Sequence, residues 1–398
     1  MKIAKVHLIE HPLFGTMDVD FAGPDGKTLE TIVIAGVNGT GKTTLLREIF
    51  KAMEGGGEEI IHIMLELDIS HLHGYENQEE KLQITHKDRE GMWWLIKLWE
   101  DKSGKYNEKT WPRIIYLPTE INFEALTIRT LSFFAHYHFT NIVNQRIIED
   151  VPSFIASTIN NEVFKNPSLP AQEAIDKVCH EINTIFEILD IDAQMIGLNP
   201  EGEKLPIFKN SAGKIFDINH LSSGEKQLFI RAMALRMLNA NNSVILIDEP
   251  EISMHPGWQQ RIVKVYEKIG TNNQVIIATH SPHIVASVPK ENIKLLKRVN
   301  GQIKVVEYNE ISGSYGLPVD IILKELMDLE TVRDPEVENE IRRLWDLLHQ
   351  KQHDSKEFIE SYRRLEELLG SEDEELLLIR IEIAKLKSEK RKLNVGNT

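Results

Sequence analysis

The sequence predicts an α/β fold: a parallel sheet carrying a phosphate-binding loop, with an antiparallel β subdomain, an inserted helical subdomain and a C-terminal helical extension. Three observations predict it. Residues 36–43 read Gly-Val-Asn-Gly-Thr-Gly-Lys-Thr, which is G-x-x-x-x-G-K-[ST], with the apolar strand Thr31–Ala35 entering the loop and the helical segment Thr44–Phe50 leaving it. Ser243–Ile247 and Gln274–Ala278 are continuous apolar runs with a helix between them at Gln259–Ile269, the order of a strand–helix–strand unit in a parallel sheet. From Leu317 onward the period is helical, over roughly 319–330, 335–350, 355–369 and 373–393.

The remaining elements follow in chain order. Lys2–Ile9 and Asp18–Phe21 read as strands, with Gly15 and Gly23-Pro24-Asp25-Gly26 as turns. Gly55-Gly56-Gly57 ends the first helix. Glu59–Ile69, Lys81–His86 and Met92–Trp99 read as an antiparallel insertion, and Arg113–Leu117 as a short core strand stopped by Pro118. Residues 122–195 are mostly helical by period, with breaks at Pro152 and Pro167–Pro170. A hairpin at Leu205–Ile218 leads into Leu221-Ser222-Ser223-Gly224-Glu225-Lys226-Gln227 and a helix to about Asn239, and Ile293–Arg298 with Ile303–Val306 form a closing hairpin. The expected divisions are 1–121, 122–204, 205–310 and 311–398.

Composition narrows the class. The chain has 398 residues, 41% hydrophobic and 27% charged, as in an ordinary soluble protein. Its one cysteine, Cys179, excludes an internal disulfide framework and a cysteine-based zinc site, and suits a reducing cytosol. Met1–Glu10 alternates like a strand and is no apolar leader, and no apolar run reaches the roughly 20 residues of a membrane span, so a cytoplasmic protein with no membrane contact is expected. The net charge of −15 argues against wholesale wrapping by nucleic acid, and leaves a local basic groove or a basic partner open.

The motifs specify a chemistry. Gly36, Val37, Asn38, Gly39, Thr40, Gly41, Lys42, Thr43 and Thr44 form the cradle expected for a nucleoside triphosphate, with backbone N–H groups and a helix N-terminus turned to phosphate oxygens. Lys42 reaches the β- and γ-phosphates, and the Thr43 hydroxyl ligates Mg²⁺. Val244–Ile247 ends in Asp248 and Glu249: the first acid is placed for the Mg²⁺ shell, the second for a general base on water. His280, after the strand Val275–Thr279, is placed to hydrogen-bond a γ-phosphate. Ser222-x-x-Glu225 is a capping box, and the same exposed N–H groups, hydroxyl and dipole make a γ-phosphate site that a second chain's phosphate loop can use. His62, His71, His73 and His86 lack metal-ligand spacing and read as surface residues.

Gly36–Thr43, Leu221–Gln227, Val244–Glu249 and His280, in that order, resemble the ABC-type ATPase fold. Asn38–Thr43 and Glu249-Pro250-Glu251 … Met254-His255-Pro256 are similar to its RecF and SMC-like (AAA_21/AAA_15) group, and within it to the Septu and retron-associated PtuA type of anti-phage ATPase. The resemblance implies an ABC-ATPase head whose chains pair head to tail, as a homodimer or a higher even-numbered oligomer. ATP then lies between Gly36–Thr44 of one chain and Ser222–Gly224 of the other, with Asp248 serving Mg²⁺, Glu249 activating water, His280 contacting the γ-phosphate and Ser253–His255 communicating across the dimer. The family's glutamine after the strand Arg113–Leu117 is replaced by Pro118-Thr119-Glu120, so Glu120 is the substitute expected on Mg²⁺.

Three jobs compete. No sustained a/d repeat separates the phosphate loop from Leu221–Gln227, so a long-arm SMC protein is excluded. A transporter's nucleotide-binding subunit is the alternative, disfavoured by the long helical tail. A nuclease within the chain requires an Asp-x-Asp after His280, and the two such pairs, Asp18–Asp20 and Asp190–Asp192, precede it. The expected reading is an ATPase regulating a partner effector, a nuclease in another chain, for anti-phage defence or DNA repair. The C-terminal helices are the candidate partner surface: Leu344, Leu347, Leu348, Leu365, Leu368 and Leu369 give amphipathic faces that either pack on each other or leave a groove for a partner segment. The basic end Lys385, Lys387, Lys390, Arg391 and Lys392 reads as a solvated helix end, with DNA or RNA phosphate as its other use. Trp93, Trp94 and Trp99 read as sheet packing.

Overall fold

The computed structural model describes residues 1–54, 60–68, 79–85, 112–120, 125–130, 138–201 and 203–395. The strand expected at 92–99, its tryptophans, His71, His73 and His86, and Gly55–Gly57 lie outside the described residues. Two compact units divide the chain, Met1–Ile322 and Leu323–Thr398.

The first unit is built on two main sheets. In the antiparallel one, β1 (Lys2–His11) lies between β2 (Gly15–Asp20) and β4 (Ile61–Asp68), and β5 (Glu79–Thr85) pairs with β4. Alternation along β1 sends Ile3, Val6 and Leu8 inward, the signature of a sheet with one face covered.

The central sheet has seven strands in the order β14-β13-β3-β12-β11-β6-β7. They are β3 (Thr31–Ala35), β6 (Ile114–Leu117), β7 (Thr140–Ile142), β11 (Val244–Asp248), β12 (Gln274–Thr279), β13 (Ile293–Val299) and β14 (Gln302–Val306). Every residue of β3, β6, β11 and β12 is buried, as strands covered on both faces require. These four run parallel, with Ala35 opposite Thr279, Ala278 opposite Asp248 and Ile247 opposite Leu117. Four carboxyl ends therefore open on one edge, where α/β sheets hold their ligands.

A third sheet, order β10-β9-β8, comprises β8 (Gln194–Leu198), β9 (Pro206–Lys209) and β10 (Ile215–Asp217). The helices of this unit are α1 (Lys42–Glu54), α2 (Gln145–Glu149), α3 (Val151–Lys165), α4 (Ala171–Leu189), α5 (Ser223–Met237), α6 (Pro256–Gln259), α7 (Ile262–Glu267) and α8 (Pro282–Val285). One face of α1, with Leu45, Leu46, Ile49, Phe50 and Met53, enters the core that joins both main sheets. Pro152 sits in the first turn of α3, where its missing N–H costs nothing.

Two expectations need correction. The stretch 122–195 is not helical throughout: Thr140–Ile142 adds a parallel strand beside β6, and β8 begins at Gln194. The helix expected at Gln259–Ile269 is two short helices. It starts early because the His255 side chain caps the N–H of Gly257, and it breaks at Gln260–Arg261.

Helix α9 (Val319–Glu325) crosses the boundary between the units, and the second unit continues as α10 (Pro335–His349), α11 (Lys356–Leu369) and α12 (Glu374–Val395). Ile341, Leu344, Leu348, Phe358, Leu365, Leu376 and Ile379 form its core, with Leu347 and Leu369 packed at the margin. Leu368, by contrast, is 63% exposed. No helix among the described residues is long and apolar enough to cross a membrane.

Candidate functional site

The site assembles at the carboxyl edge of the central sheet. The phosphate loop leaves β3 at Ala35 and enters α1 at Lys42. Two of its glycines are required. A Cβ on Gly36 (φ +151°) would stand 2.5 Å from the Leu296 carbonyl oxygen, and one on Gly41 (φ +86°) would stand 2.7 Å from both Leu13 and Phe14. The loop is thus pressed between β13 and the tip of the β1–β2 hairpin. Arg298 adds a brace by donating to the Gly39 carbonyl at 3.2 Å.

Lys42 is 5% exposed, and its ammonium donates to the carbonyls of Gly36 at 2.8 Å and Val37 at 3.2 Å. Burial lowers its pKa, against the opposing pull of Glu249, Glu251 and Asp248. Among the described residues its hydrogen bonds go to these two neutral carbonyls, which fits a site that receives an anion.

Asp248, fully buried, terminates β11. Its Oδ1 accepts from the Thr43 hydroxyl at 2.8 Å, and its Oδ2 accepts from Thr119 at 2.8 Å and Tyr116 at 3.2 Å. Burial pushes the Tyr116 hydroxyl up to about 12, and the neighbouring Asp248 adds to the shift. A hydroxyl beside a carboxylate at a phosphate loop is a hard oxygen set of the kind Mg²⁺ takes, so Thr43 and Asp248 fit that ion. Glu120 is exposed and makes no hydrogen bond to Asp248; the side chain of this segment that does so is Thr119.

Glu249 follows with φ +44°, a left-handed turn held by its N–H donating to the Ala278 carbonyl at 2.9 Å. The turn brings its carboxylate 3.2 Å from Nδ1 of His280. With Nδ1 facing Glu249, Nε2 is the ring nitrogen left for a further partner.

Ser222 caps α5: its hydroxyl accepts from the Glu225 N–H, and the Glu225 carboxylate accepts from the Ser222 N–H at 2.8 Å. Ser222 and Ser223 are exposed. A Cβ on Gly224 would stand 2.5 Å from the Ser253 carbonyl oxygen, so this loop rests against the loop after β11, itself turned by Ser253 at φ +64°. Among the described residues no hydrogen bond joins Ser222–Glu225 to the phosphate loop of the same chain.

Sequence reasoning missed three participants: Tyr116 and Thr119 on Asp248, and Arg231. The last, 2% exposed on α5, donates to the carbonyls of Pro118 at 3.0 Å and Thr119 at 2.6 Å, tying the serine-tipped helix to the segment beside Asp248. A cationic residue inside the apolar run Leu228–Leu235 was the available signal.

Comparison with known proteins returns the same group as the motifs. The family model AAA_21, described as "AAA domain, putative AbiEii toxin, Type IV TA system", matches residues 96–286, which include Ser222–Glu225, Asp248, Glu249 and His280. The chain is 26% identical over 258 residues to "Retron Ec83 probable ATPase" of Escherichia coli, covering 58% of this chain and 46% of the relative. It is 27% identical over 193 residues to "Septu protein PtuA" of Bacillus thuringiensis, covering 45% of this chain and 48% of the relative. The chain thus spans about half the length of the curated relatives it matches. Among solved structures, an SMC head domain from Thermotoga maritima aligns with a TM-score of 0.41 at 14% identity, covering 77% of this chain and 99% of that one. The chain is similar to a retron probable ATPase and to a Septu PtuA protein.

Proposed function

We propose that the chain is an ATPase that dimerises head to tail around Mg·ATP and controls a partner effector, a nuclease, in anti-phage defence. The single observation that carries this reading is the convergence of Lys42, Thr43, Asp248, Glu249 and His280 at one sheet edge, while Ser222 and Ser223 stand exposed on an adjoining loop. In this reading the phosphate loop and Lys42 hold the triphosphate, and Thr43 and Asp248 hold Mg²⁺, which neutralises phosphate charge. Glu249 takes a proton from water as the water oxygen attacks the γ-phosphorus and the bond from that phosphorus to the β–γ bridging oxygen breaks, releasing ADP and phosphate, and His280 donates to a γ-phosphate oxygen. Ser222–Gly224 of the second chain closes over the γ-phosphate with a hydroxyl, backbone N–H groups and the dipole of α5.

The exposed apolar residues Val37, in the phosphate loop, and Ile252, beside Ser253, lie on the two loops that such pairing covers. Partner contact is assigned to the C-terminal unit, where Ile359, Leu368, Leu378 and Ile381 leave apolar surface in water. The retron and Septu relatives support the defence role.

Ser222→Arg tests the lid. It removes the helix cap and puts a long side chain where the partner's γ-phosphate must sit. The variant is expected to bind nucleotide with an affinity within about threefold of wild type, since among the described residues no hydrogen bond joins Ser222 to its own phosphate loop, yet to stay monomeric with Mg·ATP in light scattering. Dimerisation equal to wild type would remove Ser222 from the interface.

A further inference from the structure

We propose that Glu251 is the positioning residue for His280; its catalytic consequence rests on the ATPase reading above. Glu251 is a carboxylate where a structural role needs none: it is 5% exposed, and burying a charge is costly unless its bonds repay it. Those bonds all serve the strand tip that carries His280. Oε1 accepts from the Thr279 hydroxyl at 2.6 Å and from the His280 backbone N–H at 3.0 Å, with His280 Nδ1 at 3.5 Å. Thr279 Oγ1 in turn accepts from the Ser281 N–H at 2.9 Å. Ser281 then donates to Gln259 Oε1 at 2.6 Å and caps α8 through Ile284. One carboxylate oxygen therefore organises three consecutive residues, and it sets the angle at which the imidazole meets Glu249.

The imidazole thus stands between two carboxylates, with Glu249 at 3.2 Å and Glu251 at 3.5 Å from Nδ1. The other Glu251 oxygen, Oε2, is buried with no hydrogen bond, as are the Tyr266 hydroxyl and the Nε and Nη1 of Arg231. Glu251 directs its satisfied oxygen towards residues 279–280.

The role needs an acceptor, not a charge, so glutamine should replace glutamate while alanine should not. Glu251→Gln is expected to keep kcat within about fivefold of wild type. Glu251→Ala is expected to lower kcat by about 100-fold, in the range of a lost acid–base partner, with KM for ATP within about threefold. Placed on His280→Ala, the alanine change is expected to cost less than about threefold more, because a residue acting through His280 has nothing left to act on. The full loss persisting in that background overturns the proposal, as does equal loss in the glutamine variant.

Amide hydrogen exchange of residues 279–281 reads the same claim without turnover. Protection should survive in Glu251→Gln and fall in Glu251→Ala; the reverse pattern overturns positioning. Should Glu251→Ala not fold, Thr279→Val removes the hydroxyl bridge alone and is expected to lose protection at Ser281, with retained protection counting against the proposal. Wild-type protein that hydrolyses no ATP refutes the ATPase reading and leaves the exchange result to decide the positioning.

Discussion

Replacing Lys42 with alanine is expected to abolish measurable ATP binding. The ammonium is held at the mouth of the loop by two carbonyls, those of Gly36 and Val37, and burial disfavours its charge. Phosphate oxygens supply the charge-assisted partners that the site lacks. Each such hydrogen bond is worth about 1.5–3 kcal/mol, so losing two lowers affinity by roughly 100- to 10,000-fold. Titration calorimetry with Mg·ATP checks this. The fold should survive, because alanine brings no Cβ beyond the one lysine has and α1 keeps its apolar face. A loss of affinity below about tenfold would show that the triphosphate is not held here.

Glu249→Gln is expected to keep ATP and lose turnover by about 100- to 10,000-fold, the usual effect of removing a general base. Glutamine preserves shape and tolerates the same left-handed backbone, so the N–H bond to the Ala278 carbonyl survives. Removal of the carboxylate also removes an anion from beside the incoming γ-phosphate, which favours the loaded state. The variant should therefore accumulate as a dimer when Mg·ATP is added. If its dimer fraction with ATP matches that of wild type without nucleotide, Glu249 is not the base.

Much of this architecture can be read from residue pattern alone, for physical reasons. A strand buried on both faces shows as an unbroken apolar run, and β3, β11 and β12 are such runs. A phosphate loop needs glycines where neighbours crowd the backbone, and Gly36 and Gly41 are those positions. Thr140–Ile142 escaped because three residues, one of them asparagine, carry no period; pairing with β6 alone makes them a strand. Thr119, Tyr116 and Arg231 escaped because their partners lie more than 100 positions away in the chain, at |i−j| of 129, 132 and 113. The substitution of Glu120 for the family's glutamine was reasoned from side-chain chemistry; in the structure Thr119 bonds Asp248 and Glu120 is exposed. In the tail, amphipathic spacing located Leu344, Leu348 and Leu365 in the core, while spacing could not tell that Leu368 faces outward.

The central claim is that two chains share each nucleotide. It is tested most directly by mixing two preparations of the Glu249→Gln protein, one carrying Val37→Cys and the other Ser223→Cys, and adding a short bifunctional maleimide. Both positions are exposed, and the native Cys179 is buried with its thiol pushed up to about 11, so it stays out of the reaction at pH 7. The account predicts a crosslinked pair joining one chain of each kind, formed with Mg·ATP and absent with ADP or when Lys42→Ala is added to both chains. Crosslinking that ignores nucleotide, or none between chains at saturating Mg·ATP, would contradict it.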